Sequence, residues 1–329
     1  MSGAPGGRRL RSPPPPTFAD VLAARGRLEG VARRTPLERS AWLSESAIAD
    51  VFLKLETQQR TGSFKLRGAF NAVASLTPAE RARGLVTASA GNHGQGVALA
   101  ARLVGARATV FVPADAPEGK KRRIARHGAE LREVEGGYDE AHHAAEAHAA
   151  ASRARFVHAF SDPAVVAGQG TGGLEIAERL PEVRTIVVPV GGGGLAAGIG
   201  IVARALGTGA RVVGVQTDRT AAMHASLAAG RLVSPEYGPT LCEGLSGDVD
   251  ERSLALAREL LDRVVLVGED AVRRAMRALY GEEGNVAEGS AAVAASAVLE
   301  GAVELAGPAA VVLTGANVDA ARLAAVLAV

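Results

Sequence analysis

Apolar positions along this 329-residue chain follow two rhythms that alternate almost throughout. Short apolar runs predict strands at 50–55, 84–89, 108–113, 129–134, 155–160, 185–190, 211–216, 263–267 and 309–315. Several are runs of β-branched residues, the pattern of strands covered on both faces of a parallel sheet. Helix-length segments lie between them, among them 92–105, 138–153, 195–206, 269–281 and 288–301. Strand alternating with helix predicts an α/β fold built on parallel sheets. No internal repeat is evident, and the alanine-rich segment 138–153 is a strong helix former.

Glycine clusters follow strands and precede helices at three places: SAGNHGQG (89–96), VGGGGLAAG (190–198) and TGANVD (314–319). Ligands of open α/β sheets collect at the carboxyl ends of strands, so the three turns are candidates to line one pocket. Gly191, Gly192, Gly193 and Gly194 leave backbone amides uncovered just before a helix, whose dipole favours a phosphate. The bland alternative is a turn packed tightly against its neighbours. A dinucleotide fingerprint is missing, with Gln216 at the tip of the next strand, and so is a Walker lysine. Ser89, Asn92 and His93 on the second turn suit a small carboxylate or a phenolic oxygen, unless Asn92 merely caps its helix.

Lys65 sits in the run Thr61-Gly62-Ser63-Phe64, near a helix start that Ser63 is placed to cap. A cation at a helix N-terminus is disfavoured, which lowers the pKa of the amine and suits a nucleophile or base. A structural or surface lysine is the alternative. Beside a phosphate site without a nucleotide fingerprint, a phosphate-bearing aldehyde is the cofactor that would use both features.

Composition narrows the partners. A formal charge of +2 with no basic, aromatic-laced stripe argues against nucleic acid. One cysteine, Cys242, excludes an internal disulfide and fits a reducing compartment, where it reads as a buried structural thiol. Residues 1–16, rich in Pro, Gly and Arg and ending in Pro13 to Pro16, read as a disordered tail with no signal-peptide core; a transit peptide is the other reading. No apolar run reaches membrane-spanning length, so a cytoplasmic protein is expected. The spacing of His142, His143 and His148 does not place metal ligands on one helix face, which makes them a solvated surface.

The stretch KLETQQRTGSFKLRGAFN (54–71) resembles the cofactor-lysine signature of the serine/threonine dehydratases, pyridoxal-phosphate enzymes of fold type II, the fold of the tryptophan synthase β subunit. The resemblance continues in order through SAGNHGQG, FSDPAVVAGQGTGGLEI (160–176), PVGGGGLAAGI, EGSAA (288–292) and LTGANVD, over roughly residues 30 to 320. It implies two domains with largely parallel twisted sheets flanked by helices: a larger one of 17–83 plus 162–329 and a smaller one of 84–161. No C-terminal regulatory domain would follow.

The resemblance also implies roles. Lys65, next to Phe64, would carry pyridoxal 5′-phosphate covalently and move the proton at the substrate's α-carbon. Gly191 to Gly194 would hold the phosphate, Asn92 the phenolic oxygen, and Thr314 would face the pyridine nitrogen. A neutral hydroxyl there leaves that nitrogen largely unprotonated, and the weaker electron sink suits prompt β-elimination. Ser89, Ala90, Gly91, Asn92 and His93 would receive the substrate carboxylate, with Glu243 and Gly244 completing the substrate site in place of the family's Ala-Asp-Gly. The implied reaction dehydrates L-threonine or L-serine to a 2-oxo acid and ammonia, in a homodimer or homotetramer.

Other members of the group define the alternatives. Serine racemases carry a second serine where this chain has Ala90, and an asparagine where it has Phe160. β-Replacement synthases show Lys-Asp-Arg where Lys65-Leu66-Arg67 stands. A dehydratase for another β-hydroxy amino acid such as 3-hydroxyaspartate, and a non-catalytic cofactor-binding regulator, are the remaining readings. With Gln216 and Ala222 where the family places acids, no metal is expected.

Overall fold

The computed structural model describes residues 14–328. Residues 1–13 of the expected tail lie outside the described residues; Pro14 to Pro16 lead without regular structure into a helix, Phe18–Leu28, capped by Thr17. Ten strands follow in chain order: β1 (Leu37–Arg39), β2 (Val51–Leu55), β3 (Leu85–Ala88), β4 (Ala108–Pro113), β5 (Glu130–Val134), β6 (Arg155–Phe156), β7 (Thr185–Pro189), β8 (Arg211–Thr217), β9 (Arg263–Val267) and β10 (Ala309–Leu313).

They form two sheets. The six-stranded one runs β1-β2-β10-β7-β8-β9 and is parallel except for the short edge strand β1; the four-stranded one runs β5-β4-β3-β6 and is parallel throughout. The central strands β7 and β10 are buried at every position, as their continuous apolar runs predict. Helices cover both faces of the larger sheet, with Gly289–Leu299, almost entirely buried, at the centre of one core. No described helix is long and apolar enough to cross a membrane.

Two local features depart from the sequence pattern. The run 155–160 forms a strand only over Arg155–Phe156, because the His158 ring nitrogen Nδ1 accepts from the amides of Phe160 and Ser161 and turns the chain away from the sheet. Helix Pro163–Arg179 forms despite four interior glycines. Asp162 caps it, Pro163 occupies its first turn, and its glycines permit close approach on two sides. A Cβ on Gly168 would lie 2.6 Å from the Arg67 carbonyl oxygen, and one on Gly170 would lie 2.9 Å from the Gly198 carbonyl oxygen. This one helix therefore spaces helix Lys65–Ala74 from helix Gly194–Ala205 by backbone contact.

Helix propensity alone favours alanine over glycine by about 1 kcal/mol. Gly168→Ala is nevertheless expected to lower stability by about 1–3 kcal/mol, because the methyl group has only backbone to displace. Urea unfolding of the two proteins checks the sign.

Candidate active site

Three strand ends meet at one cavity of about 720 Å³. The turn after β3 (Ser89 to Asn92), the turn after β7 (Gly191 to Gly194) and the turn after β10 (Thr314 to Asn317) all border it, and Lys65 enters at the first residue of its helix. A stitch of backbone hydrogen bonds holds that helix start to the β10 turn: Phe64 N–H donates to Thr314 O at 3.0 Å, and Ala316 N–H donates to Gly62 O at 2.9 Å. Phe64, not Ser63, occupies the cap position, and no side chain caps this helix. The Ser63 hydroxyl is buried with no protein partner. It is spared from capping because its backbone pairs with Gly315 instead.

The chain has four lysines, and three face carboxylates. Lys54 bonds Glu175, Lys120 bonds Glu243, and Lys121 bonds Glu118 and Glu133. The Lys65 amine instead donates to the Ala159 carbonyl oxygen at 3.1 Å and lies 5.2 Å from the Phe64 ring centre. Burial lowers its pKa to about 8, against an upward pull from the Glu288 carboxylate. Desolvation, rather than the helix end expected from the sequence, is the main cause.

The four-glycine turn is shaped by what surrounds it. A Cβ on Gly192 would lie 2.2 Å from the Phe160 ring, and one on Gly194 would lie 2.6 Å from the Phe160 carbonyl oxygen. Gly193 adopts φ 86°, open to glycine at little cost, just before helix Gly194–Ala205. Backbone amides at a helix start, left bare of side chains, make a cradle for a phosphate. An amine without a bonded carboxylate and this cradle on one cavity together fit a phosphate-bearing aldehyde.

On the third wall, Asn92 is the first residue of helix Asn92–Leu103, and its side chain does not cap that helix. Its amide donates to Glu288 Oε1 at 2.7 Å, and its oxygen accepts from Asn317 at 2.6 Å. The Gly91 N–H donates to the Ser89 hydroxyl at 3.1 Å, tightening the turn on which Ala90 also borders the cavity. His93 is buried, with Nε2 3.0 Å from the Val157 carbonyl oxygen and Nδ1 without a partner. Burial, aided by the Lys65 and His158 charges, brings its pKa to about 3, so the ring is neutral. Thr314 is buried and donates to Ser290 O at 3.3 Å.

Gly244 N–H donates to the Ser290 hydroxyl at 2.9 Å, while Glu243 stands at the rim. Burial would raise the pKa of its carboxyl, but Lys120 at 2.7 Å and Arg322 hold it below the ordinary range. Both of its oxygens are thus engaged by cations.

The structure adds residues that sequence reasoning missed. Glu288, Asn317, His158 and Arg123 border the cavity. Glu288 and Asn317 lie inside motifs already noted, but nothing in the local pattern says that they converge. His142 is not part of a solvated surface: it packs edge-on against His158 at 5.6 Å and borders the cavity. His148 stacks near Phe111 and pairs with Arg132; His143 is exposed. Cys242 is buried, and burial pushes its thiol well above the usual range. Among the described residues, no group of three or more His, Cys, Asp and Glu side chains could hold a metal ion. Gln216 spends its side chain on Thr220 and His224.

Comparison with known proteins agrees with this geometry. Residues 28–315 match the family model described as pyridoxal-phosphate dependent enzyme. The L-threonine ammonia-lyase of Thermotoga maritima is 42% identical over 308 residues, covering 92% of this chain and 76% of that protein. Threonine deaminase isoform 2 from Solanum lycopersicum, in its processed form, superposes with a TM-score of 0.88 at 32% identity, covering 97% of this chain and 91% of its own. Maize serine racemase superposes with a TM-score of 0.90 at 28% identity, covering 94% and 95%.

Only the neutral amine attacks an aldehyde, so the lowered pKa makes a pH prediction. Capture of pyridoxal phosphate by the apo protein should quicken as pH rises through about 8. Stopped-flow absorbance checks it; a midpoint near the ordinary lysine value of about 10.4 would contradict the placement of Lys65.

Proposed function

Because the chain belongs to the family of pyridoxal-phosphate dependent enzymes, we propose that it is an ammonia-lyase that dehydrates L-threonine and L-serine, releasing the 2-oxo acid and ammonia. The observation that carries this reading is Lys65. It is the one lysine without a bonded carboxylate, and it faces a glycine cradle across a walled cavity.

When bound, the cofactor supplies an electron sink for the bond broken at the substrate's α-carbon. The chain's residues do the rest. Gly191 to Gly194 would hold a phosphate by their backbone amides. Asn92 offers its remaining N–H to a ring oxygen, and the Thr314 hydroxyl offers a neutral partner to a ring nitrogen. Ser89, Gly91 and the turn amides bind the substrate carboxylate, with neutral His93 packed behind them. The Lys65 amine, its pKa lowered by burial to about 8, would take the α-proton, and that proton balances the one that leaves with the β-hydroxyl as water.

Two residues favour elimination over racemisation. Ala90, bordering the cavity beside Ser89, has no atom that moves a proton, so one face of the α-carbon lacks a base. Phe160 places an apolar ring against the glycine turn where racemases tend to carry an amide. The division into a larger domain, 17–83 with 162–329, and a smaller one, 84–161, is part of the same proposal; the cavity lies between their sheets.

Lys65→Ala is expected to abolish the visible band of the bound cofactor and to reduce turnover of threonine and serine by about 10³-fold or more. Absorbance spectra with a 2-oxo acid assay test both effects. Retention of either the band or the turnover would overturn the assignment.

A further inference from the structure

Glu288 and Asn317 border the cavity yet have no part in the roles set out above. Glu288 is enclosed at the start of helix Gly289–Leu299, and its N–H donates to Gly315 O at 3.0 Å. Its side chain fits only because residue 315 is glycine: a Cβ there would lie 2.6 Å from Glu288 Oε1. A carboxylate is costly to enclose unless partners hold it. The partners supplied are Asn92, whose amide nitrogen is 2.7 Å from Oε1, and the Asn317 backbone N–H, and burial still holds the carboxyl above its ordinary pKa range. The cations facing this carboxylate are Lys65, Lys120 and Arg123, from two other helices.

The amide orientations form a chain of dependence. The Asn317 amide nitrogen donates to the Thr61 carbonyl oxygen at 2.8 Å, which fixes that side chain's sense, because the reverse would set oxygen against oxygen. The same nitrogen donates to Asn92 Oδ1 at 2.6 Å. That bond and the Glu288 bond then fix Asn92: flipped, it would set amide against amide on one side and oxygen against carboxylate on the other. A carboxamide carries two N–H donors. One is spent on Glu288, and the other is left in a single defined sense.

We infer that Asn317 and Glu288 are positioning residues that lock the Asn92 carboxamide as a donor towards the ring oxygen of the bound cofactor. The inference rests on the reading of Asn92 and of the cofactor given above. Asn317→Asp removes both donors without changing size and sets an acceptor against the Asn92 oxygen, so that only the Glu288 bond holds Asn92 in its sense. Glu288→Gln keeps the shape, removes the charge and preserves an acceptor, so it tests the idea if the first variant does not fold.

The experiment uses purified holoenzymes, with cofactor content measured as bound phosphate, and reads the absorption spectrum, kcat and KM for L-threonine. Asn317→Asp should retain cofactor but shift the position of the visible band and lower kcat by about tenfold or more, with KM changed by less than about threefold. Glu288→Gln should shift the band in its own right, with a smaller fall in kcat because Asn92 keeps its acceptor. A wild-type band and kcat in a folded, loaded Asn317→Asp protein would overturn the inference. If that variant does not fold, a wild-type band in Glu288→Gln would overturn it. Failure of the underlying reading looks different: the wild-type protein itself would bind no pyridoxal phosphate or release no 2-oxo acid.

Discussion

Arg67 decides which way Lys65 points. Two residues apart on a helix lie about 200° apart around its axis, so a side chain pinned on one face directs the other to the opposite face. Arg67 is pinned in a buried cluster with Glu56 at 2.7 Å, Glu175 at 2.7 Å and Lys54, which itself bonds Glu175 at 2.5 Å. Two cations and two carboxylates neutralise one another there, and Thr35 and Thr171 take up further hydrogen-bonding capacity. Buried ion pairs contribute little net stability, but removing one partner leaves a charge stranded at a cost of about 3–5 kcal/mol. Their value here is orientation. With Arg67 turned towards strand β2 and helix Pro163–Arg179, the Lys65 amine has only the cavity to enter.

The same helix, Pro163–Arg179, joins the two halves of the site. It carries Glu175 for the cluster, touches the Lys65 helix at Gly168 and touches the glycine-turn helix at Gly170. The amine and the cradle therefore keep a fixed separation, set by backbone contact, where long side chains would drift. Packing of this kind transmits small changes strongly, which is why chemistry here depends on residues well outside the cavity.

Much of this was legible in the sequence. Buried parallel strands announce themselves as β-branched runs, and β7, β8 and β10 fall where such runs predict. Bare glycines between a strand and a helix likewise mark the cradle at 191–194. What stayed hidden was convergence across long separations. Glu288 and Asn92 are 196 residues apart, and Asn317 and Asn92 are 225 apart, so no local pattern links them. The edge strand β1 was too short to show a period, and helix Pro163–Arg179 was masked by glycines whose use appears only when its neighbours are in place. His142 misled because helical spacing tests for a metal cluster but says nothing of the rings of His158 and Phe156 that it packs against.

The central claim is that one lysine of four carries the cofactor. Borohydride reduction of the holoenzyme fixes the cofactor to whichever amine holds it, and peptide mass spectrometry then reads the position. The account predicts the added mass on Lys65 alone, in the peptide containing Phe64 and Leu66. A label on Lys54, Lys120 or Lys121, or a loaded protein with no labelled lysine, would contradict it.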